Sequence, residues 1–143
     1  MYYLIYISAA KLGVDEVEMH EILTESVRNN ELHELTGLLV YNDGMFIQML
    51  EGGRTSVELI YEKIKKDVRH FDVRTLSDGN STKRHFPNWR MALGVTHEKT
   101  FRQLEAFENL EEASDFLQGI PDDHIGIRLL RYFYESEIKK KRP

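Results

Sequence analysis

Hydrophobic and polar positions fall into blocks that read as strand, helix, strand, strand, helix, strand, strand. Residues 2–8 (YYLIYIS) are aromatic and β-branched, which predicts a buried strand. Over 15–29 the period lengthens: Met19, Ile22, Leu23, Ser26 and Val27 share one stripe at helical spacing. Residues 35–42 and 45–51 predict two strands around Asn42-Asp43-Gly44, because Asp-Gly supplies the positive φ of a tight hairpin turn. Thr55-Ser56-Val57-Glu58 has the form of a capping box and predicts a helix to about Arg69. Its stripe is Val57, Ile60, Tyr61, Ile64 and Val68. Short strands follow over 73–77 and 90–95, with a turn at Asp78-Gly79-Asn80. The order β-α-β-β-α-β-β predicts an α+β, ferredoxin-like sandwich of one sheet and two helices. Helices over 98–118 and 122–140 then form a C-terminal extension, with Gly119 suiting the end of the first and Pro121 the start of the second.

Composition narrows the function classes. At 143 residues, 41% hydrophobic and 30% charged, the chain has the make-up of one globular domain. Cys is absent, which excludes disulfides, thiolate metal sites and a cysteine nucleophile. No apolar run reaches the roughly 18–20 residues of a membrane helix. Met1-Tyr2-Tyr3-Leu4 lacks the basic start of a signal peptide, so a cytoplasmic protein with no membrane contact is expected. A net charge of −5 opposes direct nucleic-acid binding. There is no HExxH, Walker loop, GxSxG or GxGxxG motif. His20, His33, His70, His85, His97 and His124 have no metal-ligand spacing, and surface or capping roles suffice for them. Leu50-Glu51-Gly52-Gly53 ahead of a helix suits an anion cradle, but a plain strand-to-helix turn explains it as well.

A few polar and aromatic residues stand where core is expected. Gln48 shares a strand face with Phe46 and Leu50, so its amide either finds partners in the interior or lies on a half-exposed face. Asn30 continues the stripe of Met19, Leu23 and Ser26 by one turn, but read from the residues alone it is expected to end the helix, as Asn commonly does. Tyr6 lies mid-strand with Leu4 and Ser8, and Trp89 stands two residues before Met91 ahead of the last strand. Core packing accounts for either one taken alone.

As a set they resemble the BLUF domain, the blue-light sensor that uses FAD. The matching pieces are Leu4-Ile5-Tyr6-Ile7-Ser8, Asn29-Asn30, Leu35-Thr36-Gly37-Leu38-Leu39-Val40-Tyr41 and Phe46-Ile47-Gln48-Met49-Leu50-Glu51-Gly52. Asp67-Val68-Arg69-His70 and Phe86-Pro87-Asn88-Trp89-Arg90-Met91 complete the pattern, so that 1–97 forms the flavin domain and 98–143 the helical extension. The resemblance implies a flavin ring between the two helices, with Ile22 and Ile64 on its faces. Asn30 would hold the carbonyl and N–H edge of the ring, with Asn29 beside it. Asp67, Arg69 and His70 would stand near the ribityl and phosphate end. The implied chemistry is a reversible light reaction rather than enzymatic turnover. Tyr6 gives an electron and a proton to excited flavin, Gln48 changes its hydrogen bonding, and Trp89 and Met91 relay the change through the last strand.

The resemblance further implies a homo-oligomer (a dimer or larger) that signals to a separate downstream protein. Apolar residues of the extension, among them Phe101, Leu104, Leu129 and Phe133, are expected to bury against the sheet face opposite the helices or against another chain. Read from the residues alone, two alternatives stay open: a ligand-binding regulatory module without light chemistry, and a small cofactor-free enzyme.

Overall fold

The aromatic run at the start of the chain forms β1 (Tyr2–Ala10), which has a strand on either side. The computed structural model describes residues 1–12, 14–42, 44–84, 92–95 and 107–108. After β1 come α1 (Glu16–His33), β2 (Thr36–Asn42), β3 (Met45–Gly52), α2 (Arg54–Lys65), β4 (His70–Asn80), β5 (Ala92–Val95) and β6 (Phe107–Glu108). The sheet order is β4-β1-β3-β2-β5-β6. Its first four strands are antiparallel to their neighbours, the ferredoxin-like arrangement expected. β5 then adds parallel to β2, and β6 parallel to β5.

Alternation divides the strand side chains between two faces. Tyr2, Leu4 and Tyr6 of β1 pack with Leu39, Phe46 and Leu50 against Met19 and Leu23 of α1 and Val57, Ile60 and Tyr61 of α2. Both helices therefore cover one face. On the other, Ile5, Leu38, Ile47 and Met49 are also fully buried. An antiparallel sheet often leaves its second face to water; the middle of this one is dry on both sides.

Several elements end elsewhere than the pattern predicted. α1 runs past Asn29 to His33 and stops at Glu34, whose φ of 57° is left-handed and whose N–H bonds back to the carbonyls of Asn30 and Glu31. Asn30 is therefore an interior helix residue and not the terminator. α2 begins at Arg54, so its cap position is Gly53, which has no side chain to cap with, and the Glu58 carboxylate accepts from Arg54 Nε at 2.9 Å instead of closing a box with Thr55. α2 ends at Lys65, so Val68 leaves the apolar stripe and is 84% exposed.

Asp78-Gly79-Asn80 is not a turn but the end of β4, paired with Leu4, Tyr3 and Tyr2. Tyr2 Oη donates to Asp78 Oδ2 at 2.6 Å, and Gly79 lies against the Tyr3 ring. These contacts outweigh the local turn preference. The Asn42–Met45 hairpin forms as expected, with Gly44 at φ 81°. Of the expected C-terminal helices, the described residues hold only Phe107–Glu108, which is strand rather than helix. Pairing with Leu93 and Gly94 satisfies backbone groups that the edge of β5 would otherwise leave open. Trp89 and Met91 lie outside the described residues.

Burial of the second sheet face has a direct check. Ile5→Ala should lower unfolding free energy by about 2–5 kcal/mol in urea titration, the range for a truncated core residue. A loss below about 1 kcal/mol would show that this face is open to water.

Candidate functional site

In the β1–β3 ladder Tyr6 stands directly opposite Gln48, which in turn pairs with Leu39 of β2. Directly opposed residues share a face, so phenol and amide meet under the helices. Tyr6 Oη donates to Gln48 Oε1. Both residues are 3% exposed, which removes the half-exposed reading of Gln48. Burial pushes the Tyr6 phenol well above its ordinary range, and the charges of Tyr61 and Asp67 push it further. Tyr6 is thus a protonated donor at every working pH.

The Tyr61 ring packs 5.5 Å from that of Tyr6, with its hydroxyl 2.8 Å from Thr75 Oγ1. Thr75 shares the sheet face of Tyr6 because β4 slips register between Ile5 and Tyr6: Ser77 pairs with Ile5 but Thr75 with Tyr6.

Above this pair the two helices part to leave a cleft of about 780 Å³, counted out to its mouth. α1 lines it with Ile22, Ser26 and Asn29, and α2 with Ile60, Lys63 and Ile64. Tyr6, Leu39, Phe46 and Gln48 come from the sheet, and Asp67, Arg69 and His70 from the far end. Among the described residues, the candidates from the sequence therefore line one cleft, Asn30 excepted. Asn30 is buried in the last turn of α1, and the α1 asparagine on the cleft wall is Asn29.

Asp67 and Arg69 lie in the connection after α2, not on the helix, and His70 opens β4. Arg69 Nη2 reaches Asp67 at 2.5 Å and Glu25 of α1 at 2.8 Å, tying the two walls together at the mouth. Burial opposes ionisation of Asp67, but the backbone and side-chain hydrogen bonds of Arg69, with the charges of Arg69 and His70, outweigh it and hold the carboxyl below the usual carboxylate range. His70 Nε2 is 2.5 Å from the Ile64 carbonyl and Nδ1 is 2.8 Å from Ser8 Oγ. A carbonyl only accepts, so Nε2–H donates to it; in the neutral ring Nδ1 then accepts a hydrogen bond from the Ser8 hydroxyl. His70 thereby braces α2 against β1 beside Tyr6.

Sequence reasoning missed Glu25, Lys63 and Ser8. Glu25 follows Ile22 by three residues and Lys63 precedes Ile64, so helical spacing from the two isoleucines would have reached Glu25.

Comparison with known proteins gives concordant matches. The BLUF family, described as sensors of blue-light using FAD, matches residues 1–92. The chain is 32% identical over 104 residues to photoactivated adenylate cyclase subunit beta of Euglena gracilis, covering 71% of this chain but 12% of that one. It is 31% identical over 120 residues to the blue light- and temperature-regulated antirepressor BluF of Escherichia coli (strain K12), covering 83% of this chain and 27% of that one. The chain therefore spans only a part of both curated relatives. Among solved structures, BlrB, a BLUF protein in its dark state, matches with a TM-score of 0.67 at 26% identity, covering 94% of this chain and 96% of that one.

The Asp67–Arg69 pair should show in the pH dependence of stability. A carboxyl held below its unfolded value near 3.9 stabilises the fold above that pH and loses this contribution as pH falls through its folded value. The excess melting temperature of wild type over Asp67→Asn should be full above about pH 5 and shrink below about pH 4. A difference constant from neutral pH to about pH 3 would contradict the pairing.

Proposed function

The chain belongs to the BLUF family of blue-light sensors that use FAD, and on that footing we propose that it is a photoreceptor whose switch is the hydrogen bond between Tyr6 and Gln48. The observation that carries the reading is Tyr6 Oη donating to Gln48 Oε1 on the buried floor of a cleft between two helices. The donor set suits a flavin. Ile22 and Ile64 offer an apolar side chain from each wall, the amides of Gln48 and Asn29 offer both donors and acceptors, and Lys63 and Arg69 bring positive charge toward the mouth.

Bound FAD supplies the absorption of blue light and a destination for an electron. The remaining steps belong to side chains of this chain. Tyr6 cannot leave an electron hole on its ring without its hydroxyl becoming strongly acidic, so electron and proton depart together, and Gln48 Oε1 already accepts from that hydroxyl. Gln48 then exchanges donor and acceptor roles by rotation or tautomerisation. Tyr6 recovers its electron and proton, while Gln48 holds the new arrangement until it relaxes. Tyr61 and His70, whose rings lie 5.5 and 6.2 Å from the Tyr6 ring, confine the phenol during this exchange.

On this reading Asn29 on the cleft wall, and Asn30 once the bound ring reaches the buried last turn of α1, hold the polar edge of the ring, and Asp67, Arg69 and His70 attend the ribityl and phosphate end. Trp89 and Met91 pass the change to β5. The segment after residue 98 serves as the output element that covers the second sheet face. The complete burial of Ile5, Ile47 and Met49 supports a cover there. Output then passes from a homo-oligomer to a separate signalling protein in the cytoplasm.

Protein purified after flavin-replete expression should be yellow and release FAD on denaturation; colourless protein would refute the reading. Tyr6→Phe and Gln48→Leu should each retain flavin yet lose the light-induced red shift of its absorption. A normal photocycle in either variant would show that the switch lies elsewhere.

A further inference from the structure

We propose that Arg84 is the positioning residue that fixes where β5 lies against β2, and thereby limits how far that strand moves on signalling; only the signalling half rests on the light-sensor reading. Arg84 follows β4 and precedes the return of the chain as β5. Its guanidinium bonds three acceptors from separate elements: Thr36 Oγ1 at 2.9 Å, the Glu51 carbonyl at 3.0 Å and the Glu34 carbonyl at 2.5 Å. The Thr36 hydroxyl donates onward to Glu51 Oε2 at 3.1 Å. Glu51 is a carboxylate with no exposed surface, and the Arg84 charge reaches it through that hydroxyl. A planar fork of N–H groups can meet acceptors in several directions at once, whereas a lysine ammonium acts as a compact point charge.

The place of this clamp is what gives it consequence. Thr36 and Glu51 are the terminal pair of the β2–β3 ladder, and β5 begins its pairing at Leu38, opposite Ala92. The strand is short, covering only Ala92–Val95, and runs parallel to β2, the weaker of the two pairing modes. Such a strand has little to hold its register from within, and a fixed point beside the head of β2 supplies it. The third acceptor, Glu34, is the left-handed cap of α1, whose last turn carries Asn29 and Asn30. One side chain thus joins the end of the cleft-lining helix, the end of the strand bearing Gln48, and the chain leading to β5.

The test uses the whole 143-residue chain loaded with FAD. Amide hydrogen exchange of Leu93–Val95 is measured in the dark and under blue light for wild type, Arg84→Ala and Arg84→Lys, beside the absorption spectrum. Arg84→Ala should speed dark exchange in β5 roughly tenfold or more while β1 and β3 keep their protection, and Arg84→Lys should fall between. The red shift should survive in both variants, and the light-minus-dark difference in β5 exchange should widen in Arg84→Ala. Unchanged β5 exchange, or equal acceleration of every strand, would overturn the proposal by showing no anchor or mere global stabilisation. Wild type without a red shift would refute the light-sensor reading and leave the dark measurement as the test of the anchor. Should Arg84→Ala fail to fold, Thr36→Val removes one acceptor, and β5 protection equal to wild type there would likewise overturn it.

Discussion

Tyr6 and Gln48 meet because β1 and β3 pair antiparallel in one register, Tyr6 opposite Gln48. A slip of one residue would turn one of the two side chains to the opposite face, away from its partner and from the cleft. The apolar residues around them prevent the slip. Leu4, Phe46 and Leu50 must stay under the helices, while Ile5, Ile47 and Met49 must stay buried on the other side. With both faces dry, either wrong register would place Tyr6 or Gln48 in a core that offers it no cleft. The hydrophobic pattern thus holds the phenol–amide pair indirectly, by leaving its two polar members only one arrangement.

Polar chemistry in the cleft is divided by depth. On the floor, the phenol and amide are neutral, and burial holds the Tyr6 proton in place. At the mouth, charge is paired across the walls: Arg69 bridges Asp67 and Glu25, and so links the α2–β4 connection to α1. Between the two levels His70 spans Ile64 and Ser8. On the proposed reading, a neutral phenol–amide pair beneath a charged rim would let hydrogen bonds rearrange without moving net charge through the protein interior, where the cost of an uncompensated ion is high.

Much of this was legible in the sequence. The run around Tyr6, the Asp-Gly hairpin and the amphipathic stripes gave the order of elements, and the resemblance to the BLUF family named Tyr6, Gln48, Ile22 and Ile64, four residues of the cleft. What escaped was decided by contacts between distant segments. Glu34 ends α1 in a left-handed conformation that glycine normally takes, so no local signal marked it. Asp78-Gly79-Asn80 looks like a turn, yet pairs with β1 because Tyr2 and Tyr3 hold it there. The bulge that turns Thr75 toward Tyr61 leaves no mark on composition. Nor could spacing join Arg84 to Thr36, Glu34 and Glu51, since the acceptors include two backbone carbonyls.

The central claim, that the Gln48 amide changes its hydrogen bonding with Tyr6, is tested most directly by light-minus-dark infrared difference spectroscopy. The FAD-loaded wild-type protein would carry ¹³C at its glutamine side-chain carbonyls. The account predicts a reversible difference band in the amide carbonyl region that moves with the label and decays as the dark absorption spectrum returns. A difference spectrum untouched by the label, accompanied by a full flavin red shift, would contradict it.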